Sequence, residues 1–268
     1  MNSPYKMADI GPVRPPHFFQ RIFSVWYRHV RVYTKHLISN GFPPFVEPLM
    51  FLAGIGLGLG SYVGLIEGKT YIMFLASGII VPSAMFTATY ECTFGSFIRL
   101  EFDKVYDGMI SASLTVKDMF MGEILFAGTK GFFFSGAVLT VVAGFGLVES
   151  GMAVFTPFIG FFTGMMFAAL ALFVTSFVKN INHFNFFFTG LITPMFFFSG
   201  IVFPLDNLPE FARWVAAVFP LMHAVRLVRA FFFNSFDPGL LFNMAYMIIF
   251  TLLFGSMAIR RLTRRIVN

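Results

Sequence analysis

Apolar residues run along this chain in long blocks that no charge interrupts. Six stretches, 48–66, 71–90, 131–148, 151–178, 184–205 and 240–259, contain no Asp, Glu, Lys or Arg. A helix rises 1.5 Å per residue, so crossing a bilayer core takes about 20 residues, and each block meets or approaches that length. The blocks are rich in Gly and Phe and do not alternate with polar residues, which fits helices rather than barrel strands. The third helix is expected to begin earlier, near Met119, so that it includes Glu123 and Lys130. The pattern therefore predicts an all-α integral membrane protein with six spanning helices over residues 42–268, preceded by a tail and interface helix over residues 1–41.

The tail does not read as a cleavable signal. It opens polar, carries Pro12, Pro15 and Pro16, and reaches its first long apolar run only after Phe42. Residues 17–39 instead show helical spacing. Phe19, Ile22, Phe23, Trp26, Val30, Tyr33 and Leu37 fall on one face, within an arc of about 100°. Arg21, Ser24, Arg28, Arg31 and Lys35 point the other way. A basic face opposite Trp and Phe describes a helix lying in the membrane interface. A helix packed on other protein is the alternative, and the two are compatible.

Two connections are more than loops. Residues 97–117 are dense in charge, with Arg99, Glu101, Asp103, Lys104, Asp107 and Lys117, and predict a short helix followed by a turn at Ser111, Ser113 and Thr115. Residues 204–238 are punctuated by Pro204, Pro209, Pro220 and Pro238 yet remain semi-apolar. Asn207 is placed to cap one short helix and Pro220 to open a second, which carries His223, Arg226 and Arg229. Such a pair is too short to span and too apolar for a solvated loop, so it is expected to dip into the outer leaflet.

Composition sharpens this picture. Of 268 residues, 57% are hydrophobic and 12% charged, with a mean hydropathy of +0.78 and 41 Phe. A soluble domain carries about twice that share of charge. A single cysteine, Cys92, excludes an internal disulfide framework. The net charge of +6 could suggest nucleic acid, but its distribution favours a membrane surface. With six spans, Lys6, Arg14, Arg21, Arg28, Arg31, Lys35, Arg99, Lys104, Lys117, Lys179, Arg260, Arg261, Arg264 and Arg265 share one side. Lys69, Arg213, Arg226 and Arg229 lie on the other. This imbalance places both termini in the cytoplasm.

No catalytic pattern holds up. There is no phosphate-cradling GxxxxGK[ST], no HExxH and no supported metal-ligand spacing among His17, His29, His36, His183 and His223. Gly54, Gly56, Gly58 and Gly60 lack the flanking strand of a dinucleotide fingerprint and read as positions for close packing or local unwinding. Ionisable groups in or near spans stand out: Glu47, Glu91, Glu123 and Lys130. Charges in hydrocarbon are costly and usually face the bundle interior. Glu47, Glu91 and Glu123 are expected at the cytoplasmic interface, wetted or paired. Glu123 and Lys130, seven residues apart, share a face, and Lys130 is expected to have a buried acidic partner. A functional reading makes these groups a polar patch at the inner mouth of a substrate path, or a hinge. The triplets at 132–134, 186–188 and 196–198 read as packing Phe, with the lining of an acyl path as the alternative.

Several of these residues carry a resemblance. Glu47-Pro48-Leu49, the run 54–60, Tyr71-Ile72-Met73-Phe74-Leu75, Ala88-Thr89-Tyr90-Glu91 and Gly122-Glu123 resemble the NodJ-like branch of ABC-2-type exporter membrane subunits. The stretches 198–209 and 220–226 resemble the wider ABC-2 signature. The resemblance implies a homodimer docked on two copies of a separate ABC ATPase, with ATP and Mg held by that partner and no cofactor bound by this chain. It implies a coupling helix in 97–117, with Arg99, Glu101, Asp103, Lys104 and Asp107 as coupling charges, and an interface helix with Arg21, Trp26, Arg28, Arg31 and Lys35. It places Asp206, His223 and Arg226 in two re-entrant external helices. It also implies a bacterial inner membrane and outward transport of an amphiphile such as a glycolipid or lipid-linked saccharide, with a hydrophobic drug as the alternative cargo. A polytopic membrane enzyme would want clustered acids or histidines, whereas Glu67, Glu149, Asp206, Glu210, Asp237 and His223 are spread over separate external loops. A channel or secondary transporter would rest mainly on Lys130, and no inverted repeat is evident.

Overall fold

The computed structural model describes residues 16–36, 41–66, 68–112 and 114–267. Among these residues the chain is almost wholly helical, and its β pairing is an isolated bridge between Ile66 and Lys69. Helix α1 spans Phe18–Thr34. The membrane helices follow as α2 (Pro43–Gly60), α3 (Tyr71–Phe102), α5 (Val116–Gly144), α6 (Gly151–Thr175) and α10 (Gly239–Val267). Between them lie α4 (Val105–Ser111), α7 (184–198), α8 (Glu210–Val218) and α9 (Pro220–Phe233).

Five of these helices are long and apolar enough to cross a membrane. The expected fifth span differs. The apolar block 184–205 is helical only to Phe198 and then turns at Gly200, whose φ of +79° is open to glycine at little cost. Fifteen helical residues reach only about 22 Å, short of a full hydrocarbon core. The expected pair of short helices is present as α8 and α9, bent by 88° at Phe219. Pro220 opens α9 as foreseen. Asn207, however, lies in a single turn, and Pro209 rather than Asn207 precedes α8. Helix α3 runs past Tyr90, the end of its apolar block, through π-type turns at Glu91–Gly95 and Ile98–Phe102. Arg99 is therefore part of a membrane helix rather than of the following loop.

Helices α3 and α6 are the most enclosed, and α2 and α10 the least. Close approach of α5 and α6 depends on missing side chains. A Cβ on Gly131 would lie 2.4 Å from the Gly160 carbonyl oxygen, and one on Gly164 would lie 2.6 Å from that of Ala127. Small residues at such spacing let membrane helices pack backbone to backbone, where dispersion rather than the hydrophobic effect holds them together. In α2 the Gly-rich run forms a widened turn at Leu52–Leu57. Of its four alternating glycines, Gly56 faces Ile72 while Gly54, Gly58 and Gly60 face open space.

Helix α1 serves two surfaces. Ile22, Val25 and His29 are buried, whereas Phe19, Phe23 and Tyr27 are exposed. The buried side lies on α5, where Gly122 makes room: a Cβ there would meet Val25 at 2.7 Å. The Trp26 indole donates to Thr129 Oγ1 at 2.9 Å, and Arg21 pairs with Asp118 at 3.1 Å. Packing on protein and an exposed aromatic stripe thus coexist. The end of the expected helix, at 37–39, lies outside the described residues.

Candidate functional site

Four ionisable groups meet where α3 and α5 cross. Glu91 and Arg99 lie two turns apart on α3, and Glu123 and Lys130 two turns apart on α5. Arg99 Nη1 donates to Glu91 Oε1 at 2.7 Å, and its Nη2 reaches Glu123 Oε1. Lys130 Nζ donates to Glu91 Oε2 at 2.9 Å. Ser96 Oγ also donates to Glu123 Oε1, and the Tyr106 hydroxyl donates to Glu123 Oε2 at 2.7 Å. Glu123 is fully buried and the other three side chains nearly so. Lys130 also lies 5.0 Å from the ring centre of Tyr33 on α1.

The local sequence explains this convergence. The π turn at Glu91–Gly95 inserts a residue into the ladder of α3, a distortion often found at functional positions. Gly95 has no side chain, and a Cβ there would already lie 3.4 Å from both Arg99 and Glu91. On α5, Thr115 and Asp118 form a capping box: Thr115 N donates to Asp118 Oδ2 at 3.0 Å, and Asp118 N donates to Thr115 Oγ1 at 3.2 Å. That cap fixes where α5 begins and hence which face presents Glu123.

Two acids and two bases make the cluster neutral in sum. Burying charge is costly, and such a cluster persists only when each member is paired and hydrogen-bonded. The expected acidic partner of Lys130 is Glu91. Of the three glutamates assigned to the interface, Glu91 and Glu123 are paired within the fold. Glu47 is exposed beside a cavity of about 240 Å³ between α2, α3 and α7.

Above the cluster the chain is exposed. Glu101, Phe102, Asp103, Lys104 and Asp107 are open, and Lys104 adopts a left-handed φ of +52° at the start of α4. Glu101 accepts a hydrogen bond from Arg265 at 2.8 Å. Helix α4 buries only Tyr106 and Met109. Arg99, grouped by sequence with the exposed charges, is turned into the bundle. Among the interface-helix residues, Arg21 and Trp26 contact α5, Arg28 is partly buried, and Arg31 and Lys35 are exposed. His29 is buried against Phe126, and burial lowers its pKa from 6.5 to about 4.

At the other end, His223 is buried between Asn243 and the Ala217 carbonyl, at 2.7 and 3.1 Å, and stacks on Tyr246 at 3.9 Å. Arg229 donates to the Gly200 carbonyl at 2.7 Å and lies 3.8 Å over the ring of Phe74. Asp206 and Arg226 are exposed and help line a cavity of about 530 Å³. The Phe triplets divide. Phe132, Phe133, Phe186, Phe197 and Phe198 are exposed, whereas Phe188 stacks on Tyr90 at 4.5 Å and Phe196 packs near Phe51 and Phe86.

Tyr106 and Ser96 were not foreseen as site residues. Nothing in their local spacing marks them, since Tyr106 is brought to Glu123 only by the turn at Lys104. The Glu91–Arg99 pair was accessible, because eight residues on one helix return to the same face. Ending α3 at Tyr90 hid it.

The ABC-2 type transporter family matches residues 20–233. The chain belongs to that family. Nodulation protein J of Sinorhizobium fredii (strain NBRC 101917 / NGR234) is 30% identical over 263 residues, covering 98% of this chain and 99% of that one. Nodulation protein J of Rhizobium leguminosarum bv. viciae is 34% identical over 206 residues, covering 77% and 80%. The inner membrane transport permease YadH of Escherichia coli is 20% identical over 231 residues, covering 86% and 90%. The protein is thus a NodJ-like ABC-2 permease, the membrane subunit of a transporter, and membership implies an ABC ATPase as its partner.

Proposed function

We propose that this permease forms a homodimer on two ATPase subunits and uses their ATP cycle to move an amphiphile outward across a bacterial inner membrane. The amphiphile in this reading is a glycolipid, a lipid-linked saccharide or another lipid, and the exposed apolar surface and Phe-rich helices support a cargo with an apolar part. The broken segment from α7 to α9 acts as the sixth crossing, so both termini and α4 face the cytoplasm, in keeping with Arg265 of α10 meeting Thr175 and Glu101. ATP and Mg belong to the partner.

The observation that carries this reading is the Tyr106–Glu123 hydrogen bond. Helix α4 exposes Asp107 and follows the exposed Asp103 and Lys104, a surface suited to docking a motor. Through Tyr106 it touches a buried cluster shared by α3 and α5. A push on α4 therefore acts on the charges that hold two membrane helices together, and the two states of such a cluster form the bistable element that nucleotide binding can bias. Helix α1 braces the same region through Tyr33 and Lys130. In the dimer, α2 and α7 form the rearranging interface, with Gly54, Gly58 and Gly60 facing the second copy.

Asp103→Asn and Asp107→Asn test the docking role. Purified with the ATPase encoded beside it, each variant is expected to insert and bind but to hydrolyse ATP without transport. Unchanged coupled transport in both would remove α4 from the coupling role. Turnover stimulated by a glycolipid and not by hydrophobic drugs supports the lipid cargo, and the reverse favours drug efflux.

A further inference from the structure

We infer that the groove between α5, α6 and α10 is a binding site for one anionic glycerophospholipid. The groove has a volume of about 480 Å³ and is lined by Met121, Ile124, Met165, Leu252, Gly255 and Ile259, with Lys117 and Arg260 at its charged end. No acid is among its lining residues. It opens on α10, the least enclosed of the spanning helices, where Ile249, Leu252 and Leu253 are exposed.

The arginines of α10 separate by face. Arg261 lies 3.6 Å over the Phe177 ring, and Arg265 donates to the Thr175 carbonyl at 2.7 Å and to Glu101. Both are used by the fold. Arg260 and Arg264, on the other face, are exposed and enter no ion pair among the described residues. Of these two, only Arg260 lines the groove. Lys117 is likewise exposed and enters no ion pair among the described residues, its Nζ 5.5 Å from the Phe18 ring centre. Two unpaired cations over an apolar slot match a phosphodiester head on an acyl chain. Basic residues near the membrane surface attract anionic lipid, and basic pockets between membrane helices retain it.

Gly255 lines the slot without a side chain. A Cβ there would meet only Ala169 and Ile124, at 3.7 and 3.8 Å, which is ordinary contact. A longer side chain would project into the groove. The hydroxyls along this helix do not compete for the lipid, because Thr251 and Ser256 donate to their own helix at Met247 and Leu253.

The test is a thermal-shift titration of the full chain, purified and delipidated in detergent, with phosphatidylglycerol, phosphatidylcholine of the same acyl chains, and inorganic phosphate. Phosphatidylglycerol is expected to stabilise at a concentration about tenfold or more below phosphatidylcholine, with inorganic phosphate inert. Lys117→Gln with Arg260→Gln should abolish that preference, and Arg264→Gln should leave it. Gly255→Leu, which alters no charge, should remove the response to both lipids. Equal effects of the two lipids, an equal shift with phosphate alone, or a loss in Arg264→Gln as large as in Arg260→Gln would each overturn the site. None of these readouts involves transport or an ATPase, so the inference stands or falls independently of the exporter reading.

Discussion

Two short helices flank the membrane bundle, and they are held in opposite ways. Helix α9 buries ten of its fourteen residues and is fixed by His223, by Arg229 on the Gly200 carbonyl and by the ring of Phe74. Helix α4 buries two side chains, Tyr106 and Met109, and leaves its one charge, Asp107, outside. The first is part of the core. The second meets the core through the Tyr106 ring and hydroxyl and through Met109. A surface that must be moved by another protein can afford few anchors, and each should lead to something that can switch. Helix α4 meets that condition, because its anchor ends on Glu123, a buried carboxylate that Arg99 shares with Glu91.

Glu123→Ala should show the largest effect. It leaves Arg99 with one carboxylate instead of two and takes the acceptor from the buried Tyr106 hydroxyl, while Ser96 keeps the Glu91 carbonyl at 3.3 Å. Removing one partner of a buried ion pair costs about 3–5 kcal/mol, against a smaller cost for replacing a pair by well-packed apolar groups. Thermal unfolding in detergent should drop markedly. If Glu123→Ala melts like the parent, the cluster is not what joins α3 to α5.

At the other end His223→Ala should cost less, about 2 kcal/mol, from two lost hydrogen bonds and the space left beside Tyr246. Asn243 lines the cavity of about 530 Å³ and Ala217 is exposed, so neither partner is sealed in as Glu123 is. A loss equal to that of Glu123→Ala would erase the distinction between a buried charged cluster and a packed wedge.

A smaller effect should follow pH. His29 on α1 is buried against Phe126, and its Nε2 has no partner among the described residues. Burial holds its pKa near 4, below the ordinary 6.5. The unfolded chain then takes up a proton before the folded one does. The neutral histidine's contribution is complete above pH 6.5 and is lost as pH falls from 6.5 toward 4. Protease access to α1, or release of Trp26 fluorescence from the Thr129 contact, should rise over that window. The His29→Gln variant should flatten the response. A transition that survives this replacement belongs to other groups.

How much of this was legible depended on whether charge or tertiary contact set the feature. Runs without charge and without alternation gave the helices α3, α5, α6 and α10, because in hydrocarbon only a helix satisfies its backbone within one such segment. The bend between α8 and α9 was readable from Pro209 and Pro220, since proline marks where a helix can begin. The shortness of α7 was not, because Ser199 and Gly200 continue the apolar pattern while ending the helix. Lys130 could be assigned an unnamed acid from energetics alone. Naming Glu91 required knowing that α3 continues past its last apolar residue. Glu101 and Arg265, 164 residues apart, had no sequence signal linking them.

The smallest structural effect should accompany the clearest functional one. Tyr106→Phe keeps the ring on Phe120 at 5.2 Å and removes only the hydroxyl that reaches Glu123. A net hydrogen bond is worth about 1 kcal/mol, and Glu123 keeps Arg99 and Ser96. Unfolding should barely shift. If α4 acts on the bundle through that bond, ATP turnover with the partner should continue while transport per ATP falls severalfold. The comparison with His223 then becomes sharp, because His223→Ala should lower stability more and coupling less. A Tyr106→Phe protein that transports at full yield would show that Met109 and the backbone of 101–105 suffice to transmit the motion, and that α4 is anchored by packing as α9 is.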